Sequence, residues 1–98
     1  MSGSGHELIM AFVARQVGSE RTAAEAALTR WLDFRERLPY RNRSLNRNLA
    51  LAFVASLGRI LPTATAQSTR VWVCAYHDWL AQIGMISTNP FIGNPFGG

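Results

Sequence analysis

Lysine is absent from this 98-residue chain, and all ten of its basic residues are arginine. Acidic residues are few, six in all, so the formal charge is +4. The single cysteine, Cys74, excludes a disulfide scaffold and fits a reducing compartment. One cysteine and two histidines are too few for a structural zinc site, so no metal is expected. No long hydrophobic run occurs. The longest, 49–57, is about half of the roughly 20 residues that a membrane-spanning helix needs. The N-terminal stretch has no basic lead, and Glu7 and Arg15 bracket its short apolar run, so a secretory signal is not expected. A glycine-rich phosphate loop is also missing, because Gly3, Gly5 and the last glycines lie in the tails with no strand before them. What is present is a 48% hydrophobic, 10% aromatic and only 16% charged chain, which suits one small domain with its own core rather than a disordered segment.

Breakers divide the sequence into four helix-sized pieces. Residues 1–5 read as a flexible leader. In 6–17, Leu8, Ile9, Phe12, Val13 and Val17 recur near the 3.6-residue helical period, and Gly18 ends the piece. Ser19 is a candidate N-cap for the second piece, 20–38, with Thr22 as the rival cap and Glu25 three residues on. Its stripe is Ala24, Leu28, Trp31, Leu32 and Leu38, and Pro39 stops it. Ser44 is expected to cap the third piece, 44–57, whose stripe is Leu45, Leu49, Ala52, Phe53, Ser56 and Leu57. Residues 49–54 are apolar nearly all round, so this helix is expected to be the most buried. Gly58 suits its C-cap. The fourth piece, 66–83, carries Val73, Tyr76, Leu80 and Ile83, with Trp72 and Trp79 beside them and Gly84 after them. The helical spacing of the three tryptophans points to core packing rather than base stacking. No strand is expected, so helix-on-helix packing is the only layer solution left.

The last third has a further character. Thr65 to Arg70, then Tyr76, His77, Trp79 and Leu80, then the turn Gly84, Met85, Ile86, and finally Asn89 and Pro90 resemble the final helix of the core-binding domain of tyrosine recombinases, the phage-type integrases. That family shows a Thr-started basic helix, an aromatic pair before a Leu, a Gly-hydrophobic-Ile turn and Asn-Pro. Trp31 and Phe34 can stand for the apolar-x-x-Phe step of its second helix, and 44–57 looks like its third. The register leaves two starting threonines open, Thr65 and Thr69. Two positions depart from the pattern: Ala27 stands where the family usually has Tyr, and, if Thr65 is the starting threonine, Arg70 falls where it commonly has Leu.

The resemblance implies an all-α, compact bundle of four helices with the SAM-like fold of integrase core-binding domains, over 6–90. Residues 91–98 then read as the start of a linker to a separate catalytic domain bearing a tyrosine nucleophile with Arg and His partners. Tyr40 and Tyr76 precede that point and are not that nucleophile, so this portion is not expected to be an enzyme, and no cofactor is expected. The expected partners are double-stranded DNA and, on DNA, other recombinase protomers. The expected setting is cytoplasmic, in a bacterial or phage-encoded protein associated with the nucleoid.

Charge placement gives the same partner. Six arginines lie between Arg30 and Arg47, against two acids, Asp33 and Glu36. Guanidinium forks bind phosphates bidentately and read guanine edges. Arg41, Arg43 and Arg47 are thus candidate backbone anchors, and Arg30 and Arg37 share a helical face two turns apart. The bland alternative is a solvated face with local pairs, since Asp33 precedes Arg37 by four residues. On the fourth piece, Gln67, Arg70, Cys74, His77 and Ala81 are assigned to the face opposite the apolar stripe. In the family the second and fourth helices approach DNA. Gln67, Thr69 and Arg70 are therefore candidate contacts, and His77 is either a phosphate or base contact or a plain surface imidazole. No Ser/His/Asp set is visible, and Cys74 reads as a small packed residue.

Two functional classes follow. The first is the DNA-binding domain of a site-specific tyrosine recombinase, clamping duplex DNA at the recombination site. The alternative is a small phage-type helical adaptor that binds another protein. A membrane-surface peptide is disfavoured, because the apolar residues are spread over four helices with turn residues between them.

Overall fold

A computed structural model describes residues 3–91, with side chains from residue 6 onward. Four helices follow one another: α1 (Gly3–Ala14), α2 (Gly18–Glu36), α3 (Arg47–Ile60) and α4 (Thr63–Gln82), with a 3₁₀ turn at Tyr40–Asn42 between α2 and α3. No strand occurs among the described residues. The body measures 31 × 28 × 25 Å.

The most extensive pairing is α2 with α4. α1 packs across both, and α3 lies against α4. The buried face of α2 carries Ala24, Ala27, Leu28 and Trp31, and its two alanines let the backbones approach closely. Trp31 is the hub. Its ring meets Phe53 of α3 at 5.0 Å, His77 of α4 at 5.1 Å and Phe91 at 5.4 Å, all edge to face, the arrangement that aromatic quadrupoles favour. A second aromatic group centres on Phe12 of α1, which touches Tyr76 at 5.5 Å and Trp79 at 5.7 Å. The expectation of a helical fold and of packed tryptophans thus agrees with the architecture, although Trp72 and Trp79 are only half-buried.

Several element ends differ from expectation, each for a local reason. α1 begins at Gly3, inside the stretch 1–5 expected as a leader; residues 1–2 lie outside the described part. Neither Ser19 nor Thr22 caps α2. The helix opens one residue before Ser19, at Gly18, whose φ of 59° makes the corner that only glycine adopts without strain. Asn46, not Ser44, caps α3, accepting a hydrogen bond from the Leu49 N–H at 2.9 Å. α3 runs through Gly58 to Ile60, and Pro62 ends it and sets α4 going at Thr63. α4 closes as expected near Gly84. There a φ of 82° lets the Met85 N–H reach the Leu80 carbonyl and the Gly84 N–H the Ala81 carbonyl, a Schellman turn.

α3 is not the most buried helix. Leu49, Ala50, Phe53 and Leu57 face inward, but Leu51, Ala52 and Ala55 are exposed. Phe91, expected at the head of a linker, is buried in the core against Trp31 and His77. The rest of that expected linker, 92–98, lies outside the described residues. Asn89 holds the segment down. Its amide donates to the Cys74 carbonyl at 2.9 Å, and its side-chain oxygen accepts the Phe91 N–H at 2.8 Å.

Candidate nucleic-acid interface

The candidate residues fall into three groups. The first surrounds the C-terminal half of α3. Arg30 and Arg37 line a groove of about 350 Å³ between α2 and α3. Gln67 and Arg70 line a second, of about 200 Å³, between α3 and the start of α4. Leu57 belongs to both grooves, so α3 forms the ridge between them. α2 and α4 are tied together across the fold: Arg30 Nη1 donates to Thr69 Oγ1 at 3.1 Å. Arg59, exposed in the last turn of α3, adds a cation near the ridge. It escaped the sequence reading because it stands outside the 30–47 arginine run.

The second group is the connector between α2 and α3, where the arginines divide by role. Arg41 is exposed on the 3₁₀ turn. Arg43 is committed to the backbone: its Nε donates to the Leu38 carbonyl at 2.9 Å and its Nη2 to the Glu36 carbonyl at 2.7 Å. Those carbonyls belong to the last turn and exit of α2, where cations are favoured by the helix dipole. Arg43 is therefore a strut for the turn, with two of its five N–H donors committed to backbone carbonyls. Arg35, not singled out from the sequence, is its counterpart, donating to the Arg43 carbonyl.

The third position is Arg47, exposed at the first turn of α3. It lines a different depression, with Asp78, Thr88 and Asn89, and lies about 20 Å along the helix from Ile60 at the usual rise per residue. Arg47 thus lines neither of the grooves that hold Arg30, Arg37, Gln67 and Arg70.

Two candidates are corrected. His77 is neither a DNA contact nor a surface imidazole. It is 1% exposed, enclosed by Trp31, Tyr76 and Phe91, with Nδ1 2.8 Å from the Val73 carbonyl. Burial drives its pKa down to about 4, against the raising effect of that hydrogen bond, so the core holds a neutral ring. Thr69 is also 1% exposed, and its hydroxyl serves Arg30. It positions an arginine and does not itself reach a ligand. The outward face assigned to α4 shrinks accordingly. Gln67 is exposed and Arg70 half-exposed, whereas Cys74 and Ala81 are half-covered. Conversely Ile83, expected in the core, is 47% exposed.

Electrostatically, the acids do little to cancel this surface. The Arg37–Asp33 pair, at 2.8 Å, is exposed on both sides and is readily traded for another anion. Among the described residues no group of three His, Cys, Asp or Glu side chains could hold a metal ion, and no helix is long and apolar enough to cross a membrane. The arrangement offers guanidinium and amide donors on a rigid helical frame. Comparison with known protein families, characterised proteins and solved structures finds no match to this chain.

Proposed function

We propose that the chain is a DNA-binding helical domain, of the kind that tyrosine recombinases use to clamp duplex DNA at the recombination site. The observation that carries the reading is the flanking of the α3 ridge by Arg30 and Arg37 on one side and by Gln67 and Arg70 on the other. Arg30 is fixed to α4 through Thr69, so the two sides keep a constant separation. Arginines held on a rigid frame suit phosphate contacts, and Gln67 with Arg70 are the side chains on this surface suited to adenine and guanine edges. The resemblance of 65–90 to the last helix of integrase core-binding domains adds to the reading and names the biological setting, DNA integration and recombination. In that setting other protomers of the same protein would bind alongside.

The test is fluorescence anisotropy with a labelled duplex, titrated from about 50 to 200 mM salt. The expected outcome is binding at low salt that weakens steeply, with a log–log slope set by the number of phosphates neutralised. Absence of binding at low salt, or affinity indifferent to salt, would overturn the proposal.

A further inference from the structure

The groove between α2 and α3 has a chemistry that phosphate contacts do not use. Most of its lining is apolar: Phe34 and Leu38 from the α2 side, and Phe53, Leu57 and Ile60 from α3. Ile60 stands there 73% exposed although it is a large aliphatic side chain. The one hydroxyl in the groove, on Ser56, is already spent on the Phe53 carbonyl at 2.8 Å. At the rim Asp33 and Arg37 form an exposed ion pair, so with Arg30 the formal charge there is +1. Arg30, which shares the rim, has no acidic partner among the described residues, and its one hydrogen bond goes to a neutral hydroxyl, that of Thr69. A guanidinium carries five N–H donors, so most of its fork remains for a ligand.

We propose that this groove binds a small amphipathic monocarboxylate. The apolar portion would lie between Phe34, Phe53, Leu57 and Ile60, with the carboxylate on the Arg30 guanidinium. Size and charge select this occupant. A volume of about 350 Å³ falls within the range of small-ligand sites, while a stable protein partner needs a far broader contact. The rim carries one unbalanced positive charge, which matches one carboxylate. A bidentate guanidinium–carboxylate pair also fixes orientation, so that the apolar end is directed inward. The inference does not rest on the DNA-binding reading, and it is tested without DNA.

The experiment is a methyl-resolved NMR titration of the protein with 4-phenylbutyrate, and in parallel with 4-phenylbutan-1-ol, its uncharged analogue. Saturable shifts of the Leu57 and Ile60 methyls are expected with the acid, and about tenfold weaker binding with the alcohol, as loss of a hydrogen bond to a charged group implies. Arg30→Gln should abolish the preference for the acid while leaving the weaker binding of the alcohol. Ile60→Ser, at an exposed position that does not endanger folding, should weaken both. Equal affinities for acid and alcohol, shifts confined to other methyls, or no binding at all would each overturn the proposal. Groove shifts that follow protein concentration in the absence of ligand would assign the groove to a second copy of the chain and overturn it too.

Discussion

Arg35 and Arg43 brace each other across the turn that joins α2 to α3. Arg35 presents Nε and Nη2 to the Arg43 carbonyl at 2.9 and 2.7 Å, while the Arg43 side chain runs back to the Leu38 and Glu36 carbonyls. Burial lowers the Arg35 pKa, and Arg43 lowers it further against an opposing effect of Tyr76; the group stays charged all the same. Four charge-assisted hydrogen bonds thus hold a turn that has no apolar core of its own. Arg43→Ala is expected to destabilise the fold by about 1–2 kcal/mol. Arg41→Ala, on the same turn but exposed, should stay within about 0.5 kcal/mol. Urea denaturation of the two variants checks this; equal midpoints would mean that the brace contributes nothing.

The segment after α4 should behave as part of the domain. Asn89 joins Cys74 to Phe91 with one donor and one acceptor. Asn89→Ala leaves the buried Phe91 N–H unpaired and is expected to cost about 1–3 kcal/mol. Asn89→Asp keeps the acceptor but sets a carboxylate against the Cys74 carbonyl, so it should be no milder than alanine. Phe91→Ala should be worse still, about 3–5 kcal/mol, because it opens a cavity beside Trp31 and His77. If thermal melting of all three matched the unmodified protein, the segment would not be docked in solution.

Helical spacing alone places Leu28 with Trp31, Leu49 with Phe53 and Leu57, and Val73 with Tyr76 and Leu80, and all of these are buried. The same spacing puts Thr69 and His77 four residues either side of Val73, hence on the buried arc. Their polarity argued the other way, and polarity was the weaker guide. What covers His77 is Phe91, held there by Asn89, and no local pattern shows a contact made fourteen residues on. The arginine cluster divided for a similar reason. Sequence shows the charge density at 41–47, but whether a guanidinium faces solvent or a backbone carbonyl depends on how the turn closes. Arg43 and Arg41, two residues apart, end with different roles.

That division has a measurable consequence for DNA binding. Arg37 and Arg41 are exposed, so Arg37→Gln and Arg41→Gln should each weaken duplex binding across sequences and lower the salt slope by about 1, with little change in stability. Gln67→Ala or Arg70→Ala should change which sequence is preferred, by about 1–3 kcal/mol at the affected base pair. Anisotropy against a panel of duplexes separates the two effects. A uniform loss for Arg70→Ala would demote it from base reader to phosphate anchor.

Stability should fall on mild acidification, and His77 sets the window. Its folded pKa is depressed, mainly by burial, from 6.5 to about 4. Between those values the unfolded chain binds a proton that the native core excludes. Unfolding therefore takes up protons, and stability rises with pH through the window. The contribution is fully present above about pH 6.5 and is lost progressively down to about pH 4, amounting to at most about 3 kcal/mol at 1.36 kcal/mol per unit. The ring cannot simply turn to solvent, since Trp31, Tyr76 and Phe91 enclose it. Denaturant midpoints measured at pH 7 and pH 5 should therefore differ, and His77→Gln, which cannot titrate, should flatten the dependence even if it lowers the midpoint at both. A wild-type midpoint that does not move between pH 7 and pH 5 would show that the imidazole is not buried in solution, and the packing of Phe91 over it would fall with it.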